Sequence, residues 1–243
     1  MEYAIKISGL SKKFGDKEAV KPMELMVEKG YLFSLLGVNG AGKTTTIRML
    51  TGLTAPTAGD AWVCGHHIVK ELSQVKKVSN VSTQDTAVAG NLTVFENLVF
   101  MAEIYGRSKS DAICDANEMI KDFSMQEVKN SKAKTLSGGW QRRLSIAMAL
   151  ITKPEILFLD EPTLGLDVLA RKELWKIIEG LKGKITMVLT THYMEEAQKL
   201  SDKVAVMVDG SIKAIGTVEE LKEKTGASSL EDAFITIAEE VGN

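Results

Sequence analysis

YLFSLLGVNGAGKTTTIRMLTGL, residues 31–53, is the stretch on which the fold turns. Tyr31 to Gly37 is apolar apart from Ser34 and too short for a helix, so it reads as a strand buried on both faces. Gly37-Val38-Asn39-Gly40-Ala41-Gly42-Lys43-Thr44 follows, and from Thr45 onward the chain reads as a helix. Strand, glycine loop and helix in that order are the context of a phosphate-binding loop. Its glycines let backbone N–H groups turn toward phosphate oxygens, and the helix adds the positive end of its dipole. Lys43 is then placed to reach β- and γ-phosphates, with Thr45 beside it, and the Thr44 hydroxyl to ligate Mg²⁺. An accidental lysine in an ordinary turn would lack the flanking strand and helix.

Working outward, the first thirty residues read as strands. Met23, Leu25 and Val27 alternate with Glu24 and Glu28, interrupted by Met26, close to the period of a half-buried antiparallel sheet. Residues 88–150 are mainly helical. Thr93 and Glu96 form a capping box ahead of a helix that Gly106 ends. Ser110 is expected to open the next, with an apolar face of Ile113, Ala116, Ile120 and Phe123. Buried-strand patterns return at Ile156–Leu159 and Ile185–Thr190, and Leu174, Ile177, Ile178 and Leu181 mark one face of a helix between them. Val204, Val206 and Val208 precede the hairpin signal Asp209-Gly210. Capping boxes at Thr217/Glu220 and Ser228/Glu231 open two terminal helices.

Two further stretches carry chemistry. Ile156-Leu157-Phe158-Leu159-Asp160-Glu161 is a buried strand ending in two carboxylates, at the sheet edge where open α/β folds bind ligands. With a phosphate loop upstream, Asp160 would hold Mg²⁺ through water and Glu161 would act as general base on an attacking water. By itself such a strand end is often only a solvated acidic turn. Leu136-Ser137-Gly138-Gly139-Trp140-Gln141 offers Ser137 as an N-cap and two glycines whose amides can face an anion. Alone that is a weak signal. Its place after the phosphate loop and shortly before the acidic strand makes it specific.

In that order of motifs the sequence resembles the ATP-binding cassette (ABC) ATPases over nearly its whole length. The resemblance implies an α/β fold: a P-loop NTPase core with a mostly parallel sheet, an N-terminal antiparallel β-subdomain and an inserted helical subdomain. Residues 1–243 would form a single domain, 1–87 and 151–243 the ATP-binding core with its β-subdomain, and 88–150 the helical signature subdomain. It also implies that Phe14 stacks on adenine, the lesser alternative being a packed edge-strand residue. Gln84 becomes the glutamine sensing Mg²⁺ and the γ-phosphate, Asp167 a contact to the opposite subunit, and His192 the switch histidine on the γ-phosphate. By their surroundings alone these would be a surface glutamine, a helix cap and a structural histidine. His66 and His67 match nothing and read as surface residues. Ser137 and Gly139 would face the nucleotide of a second ABC ATPase subunit, so that ATP glues two chains together. Closure would be relayed through residues 84–105 to an integral membrane permease. Val38 stands in place of the usual proline of the loop, and Trp140 in place of the usual glutamine of the signature.

NLTVFENLVFMAEIYG, DEPTLGLDVLARKELW and SSLEDAFITIAEE resemble exporter ATPases of the multidrug and antibiotic-efflux kind; an importer ATPase is the near alternative. With one phosphate loop and one signature, the second half is expected from a second chain. Charge is nearly balanced, 30 Lys+Arg against 32 Asp+Glu, which offers no overall reason to expect nucleic acid. A soluble cassette acting on ribosomes, DNA or cluster assembly would more often show paired cassettes, long insertions or basic patches. A binding subunit with little hydrolysis is disfavoured by Lys43, Asp160, Glu161 and His192 together. Two cysteines, Cys64 and Cys114, suit a reducing cytosol. Neither a leader nor an apolar run near the roughly 20 residues needed to span a bilayer is seen, so the expected place is the cytoplasmic face of the membrane.

Overall fold

In the computed structural model, which describes residues 2–239, the chain alternates between two sheets before it builds its helical layer. β1 (Tyr3–Phe14) and β2 (Lys17–Glu28) pair antiparallel, with Met23, Leu25 and Val27 buried and Met26 half exposed. β3 (Leu32–Leu36) is buried throughout and runs into the glycine loop and α1 (Lys43–Leu50). β4 (Ala58–Val63) and β5 (His66–His67) complete an antiparallel sheet in the order β2-β1-β4-β5. α2 (Leu72–Val78) leads to β6 (Ser79–Ser82), and then come α3 (Val94–Ile104), α4 (Lys109–Asp122) and α5 (Gly138–Leu150). β7 (Ile156–Asp160), α6 (Val168–Glu179), β8 (Thr186–Thr191), α7 (Met194–Leu200) and β9 (Lys203–Val208) follow. β10 (Ser211–Gly216), α8 (Val218–Thr225) and α9 (Leu230–Glu239) close the described chain.

The second sheet has the order β10-β9-β3-β8-β7-β6, parallel except for the β9–β10 hairpin. That hairpin turns through Asp209 and Gly210, both at positive φ, as an Asp-Gly turn should. The central strands are buried on both faces, so alternate residues feed two cores. Leu157 and Leu159 of β7 pack with α3, α4, α5 and α6, while Ile156 and Phe158 pack against the antiparallel sheet and α1. Among the described residues no helix is long and apolar enough to cross a membrane.

Several local expectations shift. The cap of α4 is Ser108, which accepts from the Asp111 amide, and not Ser110. Ser108 sits just before a run that can continue helically, whereas Ser110 already lies within it. The apolar face of α4 accordingly includes Ala112, which is fully buried, while Ile113 is exposed. The last helix is opened by Ser229 with Asp232, not by Ser228 with Glu231. On α6, Leu174 and Ile178 are buried, Ile177 is only partly so, and Leu181 lies beyond the helix end. The two capping boxes at Thr93/Glu96 and Thr217/Glu220 form as expected. His67 is not a surface residue: it is 6 % exposed, 2.7 Å from Asp60 through Nε2 and edge-on to the Trp62 ring.

Candidate functional site

Four segments leave the parallel sheet at the carboxyl ends of their strands, and all four carry polar side chains. β3 delivers the glycine loop, β6 delivers Thr83 and Gln84, β7 ends in Asp160 and Glu161, and β8 runs into Thr191 and His192. Register makes them neighbours, with Leu36 opposite Thr191 and Asp160 opposite Thr190. Sequence-distant groups are therefore brought to one edge, the usual ligand position in an open α/β sheet.

The glycine loop wraps the start of α1. Gly42 takes φ +101, and a β-carbon there would come within 2.7 Å of the Ala19 carbonyl oxygen, so only glycine fits. The Lys43 ammonium is 5 % exposed and donates to the carbonyl oxygens of Gly37 at 2.7 Å and Val38 at 3.2 Å. It also lies 3.1 Å from Glu161 Oε1. The other oxygen, Glu161 Oε2, is 2.8 Å from Nδ1 of His192. Glu161 is buried and adopts φ +48, a left-handed conformation that costs a non-glycine residue about 1–2 kcal/mol. Its amide donates to both the carbonyl and the hydroxyl oxygen of Thr190, which fix that conformation. Asp160 Oδ1 in turn accepts from Thr44 at 3.0 Å and Thr190 at 2.6 Å.

Of these groups Lys43, Thr44 and Glu161 border a cleft of about 490 Å³, in the size range of small-ligand sites, while Asp160, Thr190 and His192 are not in its wall. Its walls are the glycine loop from Asn39 to Thr45, with Phe14, Lys17, Gln84, Glu161 and Leu164. Phe14 is 53 % exposed, and the Lys12 ammonium lies 4.8 Å from its ring centroid. Gln84 is exposed, and its backbone carbonyl is gripped by Arg142, which also holds the Thr83 carbonyl. Burial pulls the Arg142 guanidinium below its ordinary pKa, and nearby Asp160 and Asp85 pull the other way. Ala41 is buried behind the loop and Val38 is half exposed.

Ser137, Gly138 and Gly139 are outside that cleft. Ser137 occupies the cap position of α5 without a side-chain hydrogen bond to the helix, and it is exposed together with Gly138. A β-carbon on Gly139 would meet that of Ala170 at 3.0 Å, so α5 and α6 approach closely there. Trp140 packs on the helical core, and the Arg143 guanidinium lies 4.4 Å from its ring. Arg143 is ion-paired with Glu173. Asp167 caps α6, accepting from the amides of Leu169 and Ala170 at 2.9 Å.

Four residues had not drawn notice in the sequence. Thr190 joins Asp160 to the backbone of Glu161. Arg142 ties α5 to the segment after β6. Thr163 and Glu196 are fully buried, the latter accepting from the indole N–H of Trp175 at 3.0 Å. Burial holds the Glu196 carboxyl above the ordinary carboxylate range, against the hydrogen bond from Trp175 that favours its charged form. One signal was available: Arg142 and Arg143 adjoin in a helix whose remainder, LSIAMAL, is nearly all apolar.

Residues 20–164 match the family model described as ABC transporter. The chain is 42% identical over 228 residues to the daunorubicin/doxorubicin resistance ATP-binding protein DrrA of Streptomyces peucetius, covering 93% of this chain and 69% of that protein. It is 40% identical over 227 residues to the phospholipid-transporting ATPase ABCA3 of Homo sapiens. That match covers 92% of this chain but only 13% of the human protein, so the chain spans a small part of that relative. A solved ATP-binding subunit of an ABC transporter aligns with a TM-score of 0.85 at 25% identity, over 96% of this chain and 99% of its own.

Proposed function

The chain belongs to the ABC transporter family, with the ABC ATPase fold, and from that premise we propose that it hydrolyses ATP as one half of a dimer driving a separate exporter permease. The observation that supports this reading most is the buried Lys43–Glu161–His192 cluster beside Thr44 and Asp160, at the mouth of the phosphate loop.

Each residue has a task in that reading. The backbone amides of residues 39–45 and the helix start cradle the phosphates, and Lys43 carries its charge to the β- and γ-phosphates. Phe14 offers a ring face to the adenine at the other end of the cleft. Glu161 takes a proton from water as the water oxygen attacks the γ-phosphorus. The bond to the β–γ bridging oxygen then breaks, and ADP leaves with that electron pair. His192 steadies the carboxylate and meets the γ-phosphate. A carboxylate and a hydroxyl 3.0 Å apart are hard oxygen donors of the kind Mg²⁺ accepts, since it retains waters and substrate phosphate as its other ligands. Thr44 and Asp160, with Gln84, would hold it, and it would neutralise charge developing on the phosphates. Among the described residues no larger cluster of acidic, histidine or cysteine ligands competes for a metal.

Ser137 and Gly139 lie outside their own chain's cleft and are free to complete that of a second subunit, with Asp167 along the same seam. The segment 84–105, clamped at its start by Arg142, is the proposed contact to the permease on the cytoplasmic face of the membrane. Export is favoured by the likeness to the antibiotic-resistance protein. If two chains share each site, ATPase activity per mole of chain should rise with protein concentration until dimers dominate. Activity per mole that stays flat from well below to well above a measured dimerisation constant would refute the shared site.

A further inference from the structure

We infer that Tyr193 is a positioning residue for His192, holding the imidazole on Glu161 and tying it to α6 through Arg171. The inference rests on the reading of His192 given above. The rings of His192 and Tyr193 lie with centroids 4.1 Å apart and planes inclined by 39°. The guanidinium carbon of Arg171 is 4.6 Å from the centroid of the same tyrosine ring. Nε of Arg171 is buried and has no hydrogen-bond partner among the described residues. The aromatic ring is therefore a principal contact for that buried part of the cation.

A histidine can turn about its terminal side-chain torsion, which has broad minima. Its Nδ1 sits 2.8 Å from Glu161 Oε2, and a modest rotation would break that contact. A ring packed against the imidazole restricts the rotation, and Tyr193 is itself restrained. Its amide donates to the Thr191 hydroxyl at 3.0 Å, and α7 begins at the next residue. Arg171 lies one turn into α6, and its amide donates to the carbonyl of Asp167, the residue capping that helix. Any shift of the α6 start moves Arg171 and, through Tyr193, the ring on which Glu161 relies.

The test uses the whole chain and variants Tyr193→Ala, Tyr193→Phe and Arg171→Ala, with His192→Ala as reference. Only three histidines occur, so the His192 ring C–H resonance is assigned by its loss in His192→Ala. In Tyr193→Ala that resonance should move as the ring current disappears. kcat should fall about tenfold with KM for ATP unchanged, a modest share of what a small misplacement of a reacting group costs. Tyr193→Phe should restore both readings, because the ring and not the hydroxyl makes the contact, and Arg171→Ala should fall between. Where alanine unfolds the chain, Tyr193→Leu keeps bulk without a π face and should behave as alanine would. An unmoved resonance, a kcat within twofold of the native value, or a phenylalanine variant as slow as alanine would overturn the inference while His192→Ala remains slow. Native turnover in His192→Ala would instead overturn the role given to His192, and this inference with it.

Discussion

Replacing Glu161 by glutamine separates chemistry from binding, and the surroundings of the residue give both magnitudes. The side chain keeps its shape and can still exchange hydrogen bonds with Lys43 and His192, 3.1 and 2.8 Å away. It can no longer take a proton, so ATP turnover should fall by about 10²–10⁴, the worth of a positioned general base. It also leaves the Lys43 ammonium, only 5 % exposed, with neutral partners alone: the amide and the carbonyls of Gly37 and Val38. The contact to Lys43 stays charge-assisted but loses the opposing charge, a change of about 1–1.5 kcal/mol, within the spread among hydrogen bonds to charged groups. At roughly 2–4 °C per kcal/mol for a chain of this size, the variant alone should melt about 2–6 °C lower. Phosphate oxygens arriving at Lys43 replace the lost charge. The rise in melting temperature on adding ATP should therefore be larger in Glu161→Gln than in the native chain, by a similar 2–6 °C or so. Phosphate release measures the first quantity; thermal melts with ATP and EDTA measure the second, since neither protein then turns over. Turnover within twofold of native, or an ATP-induced rise no greater than native, would refute the reasoning.

Lys43→Ala removes the buried charge itself, so ATP turnover should vanish and affinity weaken about tenfold or more; near-native turnover would show that catalysis happens elsewhere. Mixing Lys43→Ala with Ser137→Arg chains should restore one intact composite site in each heterodimer, because both lesions then fall in the other site. A mixture no more active than either variant alone, with heterodimers demonstrated, would argue against the shared site. Burial raises the pKa of Glu196, so its favourable contribution to folding is complete at acid pH and is lost as pH rises through the raised value. Glu196→Gln stays neutral throughout, and its melting temperature should gain on the native chain between pH 5 and pH 8. A difference that does not change with pH would contradict the shifted carboxyl.

Much of the parallel sheet was legible because its signals are local. A five-residue apolar run cannot be a helix, and Gly37 to Thr44 demands a particular loop, so β3, the loop and α1 follow from neighbours in sequence. The acidic pair behaves similarly: Asp160 and Glu161 end a strand whose burial can be read from four apolar residues. Boundaries set by competition between adjacent candidates were less legible. Ser108 and Ser110 both suit a helix start, and the choice rotates the apolar face, exposing Ile113 in favour of Ala112. Ser228 and Ser229 pose the same ambiguity. His67 was misread because its burial depends on β4, β5 and Trp62 meeting, a contact without a periodic trace. Thr190 and Glu196 were hidden for the same reason: their partners are 30 and 21 residues away, at Asp160 and Trp175.

The placement of Trp140 shows how the signature and the switch converge on one helix. By sequence, its indole could equally face a nucleotide or pack within the helical layer. Within the chain it packs, with Arg143 beneath its ring and Arg143 paired to Glu173 of α6. One turn earlier on α6, Ala170 meets the position of Gly139, and Arg171 meets Tyr193. Gly139 thus satisfies two constraints at once: its amide is available to an anion, and its missing side chain lets α5 and α6 approach. The same helix begins at Asp167, a cap that locks its first turn through two amide hydrogen bonds. A short helix held at its cap moves more readily as a body than residue by residue, since interior packing resists local deformation. Residues 170, 171 and 173 of this one helix therefore touch two places, the signature helix at Gly139 and Arg143 and the Tyr193 ring beside His192. On the shared site proposed above, such a connection would let the chain that lends its signature respond to its own Glu161.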